Sequence, residues 1–164
     1  MAIRELRYEG DEILRKKSRI VENFDDKIRE IVKDMDETMH ESNGVGLSAV
    51  QVGILKRIIV IDTLYDGTPS IVIINPEIVK EKGEQEVEEG CLSFPNKFAK
   101  VVRPKEVTVK GYDENGKAIT VKGKDLLAQA LCHEIDHLNG VLFVDRMEPG
   151  TMEYIDNNNS DEKE

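Results

Sequence analysis

The chain has 164 residues, enough for one domain with a real hydrophobic core and short for two. A formal net charge of −10, spread along the chain, argues against general attraction to a nucleic-acid backbone, so no direct nucleic-acid binding is expected. The opening MAIRELRYEGDEILRKK has no apolar signal-peptide core, and no later stretch approaches the roughly twenty apolar residues of a membrane span.

These features set the expectation of a cytoplasmic protein with no membrane contact, in which Cys91 and Cys132 are free thiols available to a metal or to catalysis rather than a disulfide. From Asp25 to Glu41, Ile28, Ile31, Val32, Met35 and Met39 recur at helical spacing with charged residues opposite, which predicts an amphipathic helix. Asn43-Gly44-Val45-Gly46-Leu47 and the following Ser48 to Gly53 read as a constrained loop, too glycine-rich for a helix and too interrupted for a long strand. Strands are predicted from Lys56 to Asp62 and from Ile71 to Lys80, with Pro76 marking an edge or a bulge. Val101 to Tyr112 and Ala118 to Lys122 flank Asp113-Glu114-Asn115-Gly116-Lys117, whose Asn-Gly pair suits a tight antiparallel hairpin.

A second helix is predicted from Lys124 to Asn139, closed by Asn139-Gly140. Its apolar residues, Leu126, Leu127, Ala130, Leu131, Ile135 and Leu138, cover more than one stripe, so it should be packed on several sides. The fold class expected is α+β, with antiparallel β-sheets packed around this central helix. A single domain over residues 1–164 is expected, with a frayed acidic tail from about residue 157.

The central helix carries His133-Glu134-Ile135-Asp136-His137. Spacing of four puts both imidazoles on one face, where two nitrogens can share one ion. Glu134 projects at roughly 100° from His133, too far to join the pair as a ligand and close enough to reach an ion's water, the position of a general base. The plainer alternative is a pair of core histidines hydrogen-bonded within the fold.

A catalytic ion takes three protein ligands and keeps a position for water, so a third donor is sought outside the helix. Cys91 is the best candidate, presented between Glu88-Glu89-Gly90 and Leu92-Ser93-Phe94-Pro95, where Gly and Pro interrupt regular pairing. Its bland alternative is a small buried hydrophobe. Cys132, about 100° from His133, is read as packing. His40, near the end of the first helix, is read as structural or solvated.

Three segments, in this order and spacing, resemble the peptide deformylase family: Gly44-Val45-Gly46-Leu47-Ser48-Ala49-Val50-Gln51, Glu89-Gly90-Cys91-Leu92-Ser93, and the His133 to His137 motif. The likeness runs from about Ile3 to Arg146 and includes Asp11 to Lys17, the Val101 to Asp113 strand with Arg103, and Leu142-Phe143-Val144-Asp145. It implies removal of the formyl group from the N-terminal formylmethionine of new polypeptides, releasing formate. One divalent ion is implied, Fe(II) first, although the same donors suit Zn, Ni or Co.

In the implied mechanism the ion held by Cys91, His133 and His137 acidifies a water and Glu134 takes its proton. By similarity, the Leu92 backbone N–H and the Gln51 side-chain amide stabilise the oxyanion, and Glu134 returns the proton to the leaving amine. Leu126 and Ala130 continue the stripe of His133, and with Val45 and Val87 they could form an apolar pocket for the methionine side chain, or simply belong to the core. Gly46, lacking a side chain, would let the substrate backbone approach in extended form.

Ser48 stands where this family most often has Ala, and Cys132 where the residue before the first His is commonly Gln. Some bacterial relatives dock on the ribosome through a long basic C-terminal helix; the acidic end of this sequence argues against more than a transient ribosome contact. Two rivals remain. A zinc peptidase would share the motif but more often take Glu or His as third ligand, and a structural metal module would close its site with four protein ligands.

Overall fold

The structure, a computed structural model, describes residues 2–155; the tail expected from about residue 157 lies outside them. Asp25 caps helix α1 (Asp26–Glu41) by accepting from the Ile28 N–H at 3.1 Å, a contact worth about 1 kcal/mol. The helix buries the five apolar residues that its period singles out.

The glycine-rich segment resolves into more structure than its composition suggests. Gly46–Ser48 form a short strand, β1, and Ala49–Val52 a 3-10 turn that Gly53 ends at φ +83°. Strand β2 (Ile58–Ile61) follows, then β3 (Ile71–Lys82), whose register shifts between Ile74 and Glu77, around Pro76. The pairing with β2 ends at Ile74, so Pro76 sits at a bulge on the stretch of β3 that only β6 pairs, in line with the edge or bulge its sequence suggests.

The run from Val101 to Tyr112 is two strands, not one. Its first residues close β5 (Phe94–Arg103), which pairs with β4 (Gln85–Cys91); the rest form β6 (Glu106–Tyr112), which pairs with β7 (Ala118–Lys124). Pro104, which cannot donate to a ladder, stands at the break. The β6–β7 connection is not the tight two-residue turn: of Asn115 and Gly116 only Gly116 has positive φ, and Asp113 organises the loop by accepting from the N–H groups of Asn115 and Lys117.

Helix α2 (Leu126–Leu138), a one-turn helix α3 (Phe143–Arg146) and a short strand β8 (Glu153–Tyr154) complete the described residues. The five-stranded sheet runs β1-β2-β3-β6-β7 and the three-stranded sheet β4-β5-β8, with every pairing antiparallel.

The period of two along β2 explains how the layers assemble. Ile58 and Val60 pack with Ile28, Val32 and Met35 of α1, whereas Ile59 and Ile61 pack with Leu131, Ile135 and Leu138 of α2. A third cluster, with Leu14, Phe94, Val101 and Phe143, lies beneath the smaller sheet. Helix α2 is therefore enclosed, with ten of its thirteen residues buried, as its broad apolar surface predicts. Fully burying one Leu such as Leu131 is worth about 1.5–3 kcal/mol, so the helix that carries the motif is strongly anchored.

Candidate metal centre

Helix α2 aims both motif histidines at β4. The Nε2 atoms of His133 and His137 lie 3.2 Å apart, and His137 Nε2 lies 3.3 Å from Cys91 Sγ. One donor atom from each of the three residues falls within 4.8 Å of the others. Ligands of a tetrahedral ion, at about 2.0–2.3 Å from the metal, lie roughly 3.3–3.6 Å from one another. The two separations that involve His137 thus already match those around a shared ion, and the donor set suits a borderline-soft divalent metal.

Cys91 is presented much as its neighbours suggest. It ends β4 just after the register of β4 on β5 shifts between Glu89 and Cys91, at Gly90, where Pro95 of β5 is also left without a partner, and the two-residue turn Leu92-Ser93 follows.

His133 is oriented from behind. Its Nδ1 donates to Glu89 Oε1, which fixes Nε2 as the atom facing Cys91 and His137. Glu89 is in turn gripped by Arg103, whose Nε donates to Oε2 at 3.0 Å and whose Nη2 donates to Oε1. Arg103 Nη1 also donates to Asp136 Oδ2 at 2.7 Å, and Arg146 reaches the same carboxylate at 2.6 and 3.0 Å. Burial would raise the Glu89 pKa, but the hydrogen bonds from His133 and Arg103 outweigh it and hold it at about 2.

This support layer is absent from the candidate residues read off the sequence. Glu89 lies in an acidic stretch that resembles solvated surface, and only the β4–β5 pairing, Glu89 opposite Ala99, brings it under Arg103.

Burial opposes charge on both imidazoles. At His133 the charges of Glu134 and Cys91 outweigh it and raise the pKa well above the ordinary value. At His137 burial and the charge on His133 push the pKa well below it. Two ring nitrogens 3.2 Å apart have room for one proton between them, which a divalent ion would displace.

Glu134 is 4% exposed, and its Oε1 has no hydrogen-bond partner among the described residues. Burial pushes its pKa up to about 7. A Cβ added at Gly46 would stand 2.6 Å from Glu134 Oε2, so the bare glycine backbone is what lets this carboxylate lie against β1. Gln51 projects from the 3-10 turn: its Oε1 accepts from the Ser48 N–H and its Nε2 donates to Ser93 Oγ, each at 3.0 Å, with Cys91 Sγ 3.5 Å from the same Nε2.

A cavity of about 370 Å³ opens over these groups. Of the expected pocket residues, Val45, Gly46, Leu126 and Ala130 line it, together with Gln51, Cys91, Leu92, His133 and Glu134. Val87 does not. It sits one pleat further along β4, packed against the cluster of Phe94, Val101 and Phe143. Phe98 and Gln129, which the sequence reading did not select, line the cavity as well. Cys132 is buried among apolar side chains of the α2 core, and burial raises its thiol pKa to about 11, in keeping with a packing role.

Comparison with known proteins points one way. The sequence profile of the family described as Polypeptide deformylase matches residues 3–153. The chain is 56% identical over 146 residues to peptide deformylase 2 of Clostridium acetobutylicum, covering 88% of this chain and 95% of that protein. It is 54% identical over 147 residues to the peptide deformylase of Alkaliphilus metalliredigens, covering 90% and 98%. Among solved structures, a peptide deformylase from Legionella pneumophila superposes with a TM-score of 0.87 at 50% identity, covering 90% of this chain and 87% of that one. A peptide deformylase from Synechococcus elongatus, solved in complex with actinonin, gives 0.85 at 44% identity, covering 89% and 79%.

Proposed function

Since the chain belongs to the polypeptide deformylase family, we propose that Cys91, His133 and His137 hold one divalent ion, Fe(II) first among Fe, Zn, Ni and Co, while Glu134 moves the proton. The protein is a peptide deformylase: it removes the N-formyl group from newly synthesised polypeptides. The observation that carries the assignment of roles is the convergence of one cysteine sulfur and two imidazole nitrogens beside a buried carboxyl group with an unpartnered oxygen.

Bound there, a divalent ion would acidify a water and polarise the formyl carbonyl. Glu134 then has two tasks. Near a divalent charge its ionised form is favoured, so it accepts the proton of the attacking water. Its buried setting favours the protonated form that follows, which suits it to pass the proton to the leaving amine. Gln51 Nε2, 3.5 Å from Cys91 Sγ, and the N–H of Leu92, the residue after Cys91, are the donors we assign to the developing oxyanion.

The substrate site follows from topology. Both β1 and β4 are edges of their sheets, and the cavity lies between them. An extended peptide can hydrogen-bond to such an edge, and the bare backbone of Gly46 would let it approach closely. We assign Val45, Leu126 and Ala130 to the methionine side chain; Val87, behind the cavity wall, is at most a support.

Residues 1–164 form, in this proposal, one catalytic domain working in the cytoplasm. No helix among the described residues is long and apolar enough to cross a membrane. Any ribosome contact is transient, because a net charge of −10 opposes RNA. The test is formate release from a formyl-Met peptide by protein purified without oxygen and loaded with Fe(II) or Ni(II), because both Fe(II) and the thiolate oxidise. Release that stops on chelation and returns with metal supports the reading; none from protein holding one equivalent of metal would overturn it.

A further inference from the structure

Behind the cavity edge at Gly44 to Gly46 lies a polar cluster that the reaction does not use. His40, in the last turn of α1, places Nε2 2.7 Å from Asp62 Oδ2 and Nδ1 2.8 Å from the carbonyl oxygen of Asp36. Both partners are acceptors only, so both ring nitrogens must donate, and a neutral imidazole has a single N–H. The geometry therefore calls for an imidazolium.

Asp62 is the node of the cluster, 8% exposed at the end of β2. Its backbone N–H donates to the Val45 carbonyl at 2.9 Å, and its Oδ1 accepts from the N–H groups of Leu64 at 3.1 Å and Tyr65 at 2.9 Å. Tyr65 has φ +49°, uncommon for a bulky residue, and so needs surroundings that hold it there. Asp62 grips it from one side, and on the other its hydroxyl donates to the Gly44 carbonyl. Its ring lies 5.1 Å from that of His40. Two residues of one loop thus hold Gly44 and Val45 by their carbonyls, next to the strand edge that faces the cavity.

We propose that His40, Asp62 and Tyr65 form a clasp that positions the Gly44–Gly46 edge for the peptide substrate, closed while His40 carries both ring protons. These are positioning residues, since none lines the cavity. The proposal rests on the deformylase reading for the identity of the peptide.

The groups facing His40 set its sign. Asp62 faces it from the end of β2, Asp36 from its own helix with Oδ1 at 3.3 Å, and Tyr65 from the loop; Ser70 Oγ donates to Asp36 Oδ1 at 2.5 Å. The hydrogen bond to Asp62, more than the opposing burial, raises the His40 pKa above its ordinary 6.5. Burial raises that of Tyr65, whose hydroxyl stays a donor at neutral pH. A raised pKa means the clasp is whole below about pH 6.5 and loses one of its two ring hydrogen bonds as pH rises through the folded-state value.

The test compares wild type, Tyr65→Phe and His40→Gln, each metal-loaded, for kcat and KM on a formyl-Met peptide from pH 6 to 9, with 15N NMR of the histidine rings. Tyr65→Phe should raise KM about three- to tenfold, the size of one net hydrogen bond, and leave kcat within about twofold. The ratio of wild-type to His40→Gln KM should rise with pH, because the glutamine amide does not titrate. At pH 6 the wild-type His40 ring should carry two protons.

An unchanged KM for Tyr65→Phe, or a singly protonated His40 ring at pH 6, overturns the clasp. If wild type releases no formate while His40 is doubly protonated, the deformylase reading fails and the clasp geometry stands. The ring measurement needs only wild-type protein, so a variant that does not fold leaves it decisive.

Discussion

Replacing Arg103 by Met keeps most of the side-chain volume and removes the charge that two buried carboxylates share. Asp136 would retain both contacts from Arg146, so the loss falls on Glu89, which would keep only His133. Glu89 is 3% exposed, and its pKa is held at about 2 against an ordinary 4.5. At 1.36 kcal/mol per pH unit this is about 3 kcal/mol of net stabilisation, after Arg103 and His133 have offset the burial that opposes the charge. Removing one partner of a buried ion pair costs about 3–5 kcal/mol, the same range.

A chain of this length loses roughly 2–4 °C in Tm per kcal/mol, so Arg103→Met should melt about 6–12 °C below wild type at pH 7. Thermal melts with a chelator present keep metal binding out of the comparison. The sign follows from a depressed carboxylate: the wild-type advantage is complete above pH 4.5 and declines as pH falls toward about 2. The gap between the two proteins should therefore narrow by about 1 kcal/mol at pH 3.5. A loss below about 0.5 kcal/mol, or a gap independent of pH, would refute the claim that Arg103 stabilises Glu89 as a buried anion.

Other substitutions test the site itself. Glu134→Gln should keep its metal, by elemental analysis, and lose about a hundredfold or more in kcat; full activity would remove Glu134 from proton transfer. Gly46→Ala introduces a Cβ 2.6 Å from Glu134 Oε2 and should lower kcat/KM with metal content unchanged, whereas wild-type kinetics would show that the carboxylate has room to move. Ala130→Phe fills the cavity beside Leu126 and should raise KM for formyl-Met peptides; an unchanged KM would take Ala130 out of the pocket.

What was legible in the sequence was local and periodic. The spacing of His133 and His137 and the apolar residues around them specified a buried helix, and a buried helix presenting two imidazoles narrows the chemistry to few options. Pro76 as an edge or a bulge was also readable, because a proline disturbs pairing within a few residues of itself. Features that depend on pairing across the chain were not.

Val87 and Glu89 look alike as alternating positions of an acidic segment, and only the register of β4 on β5 sends Glu89 to Arg103 and Val87 to the core behind the cavity. The short strand at Gly46 to Ser48 exists because Ile61, Val60 and Ile59 of β2 pair with it. His40 gains its second acceptor from Asp62, 22 residues away, so its sequence neighbours show only the helix dipole. Polar residues whose burial is compensated by distant partners are the ones that sequence patterns misassign to the surface.

The most direct test of the central claim is X-ray absorption at the metal edge of protein loaded with one equivalent of Zn(II). The account predicts one sulfur scatterer at about 2.3 Å, two imidazole nitrogens at about 2.0–2.1 Å, and an oxygen that formate or a hydroxamate displaces. A shell without sulfur, or one closed by a fourth protein ligand with no displaceable oxygen, would contradict it.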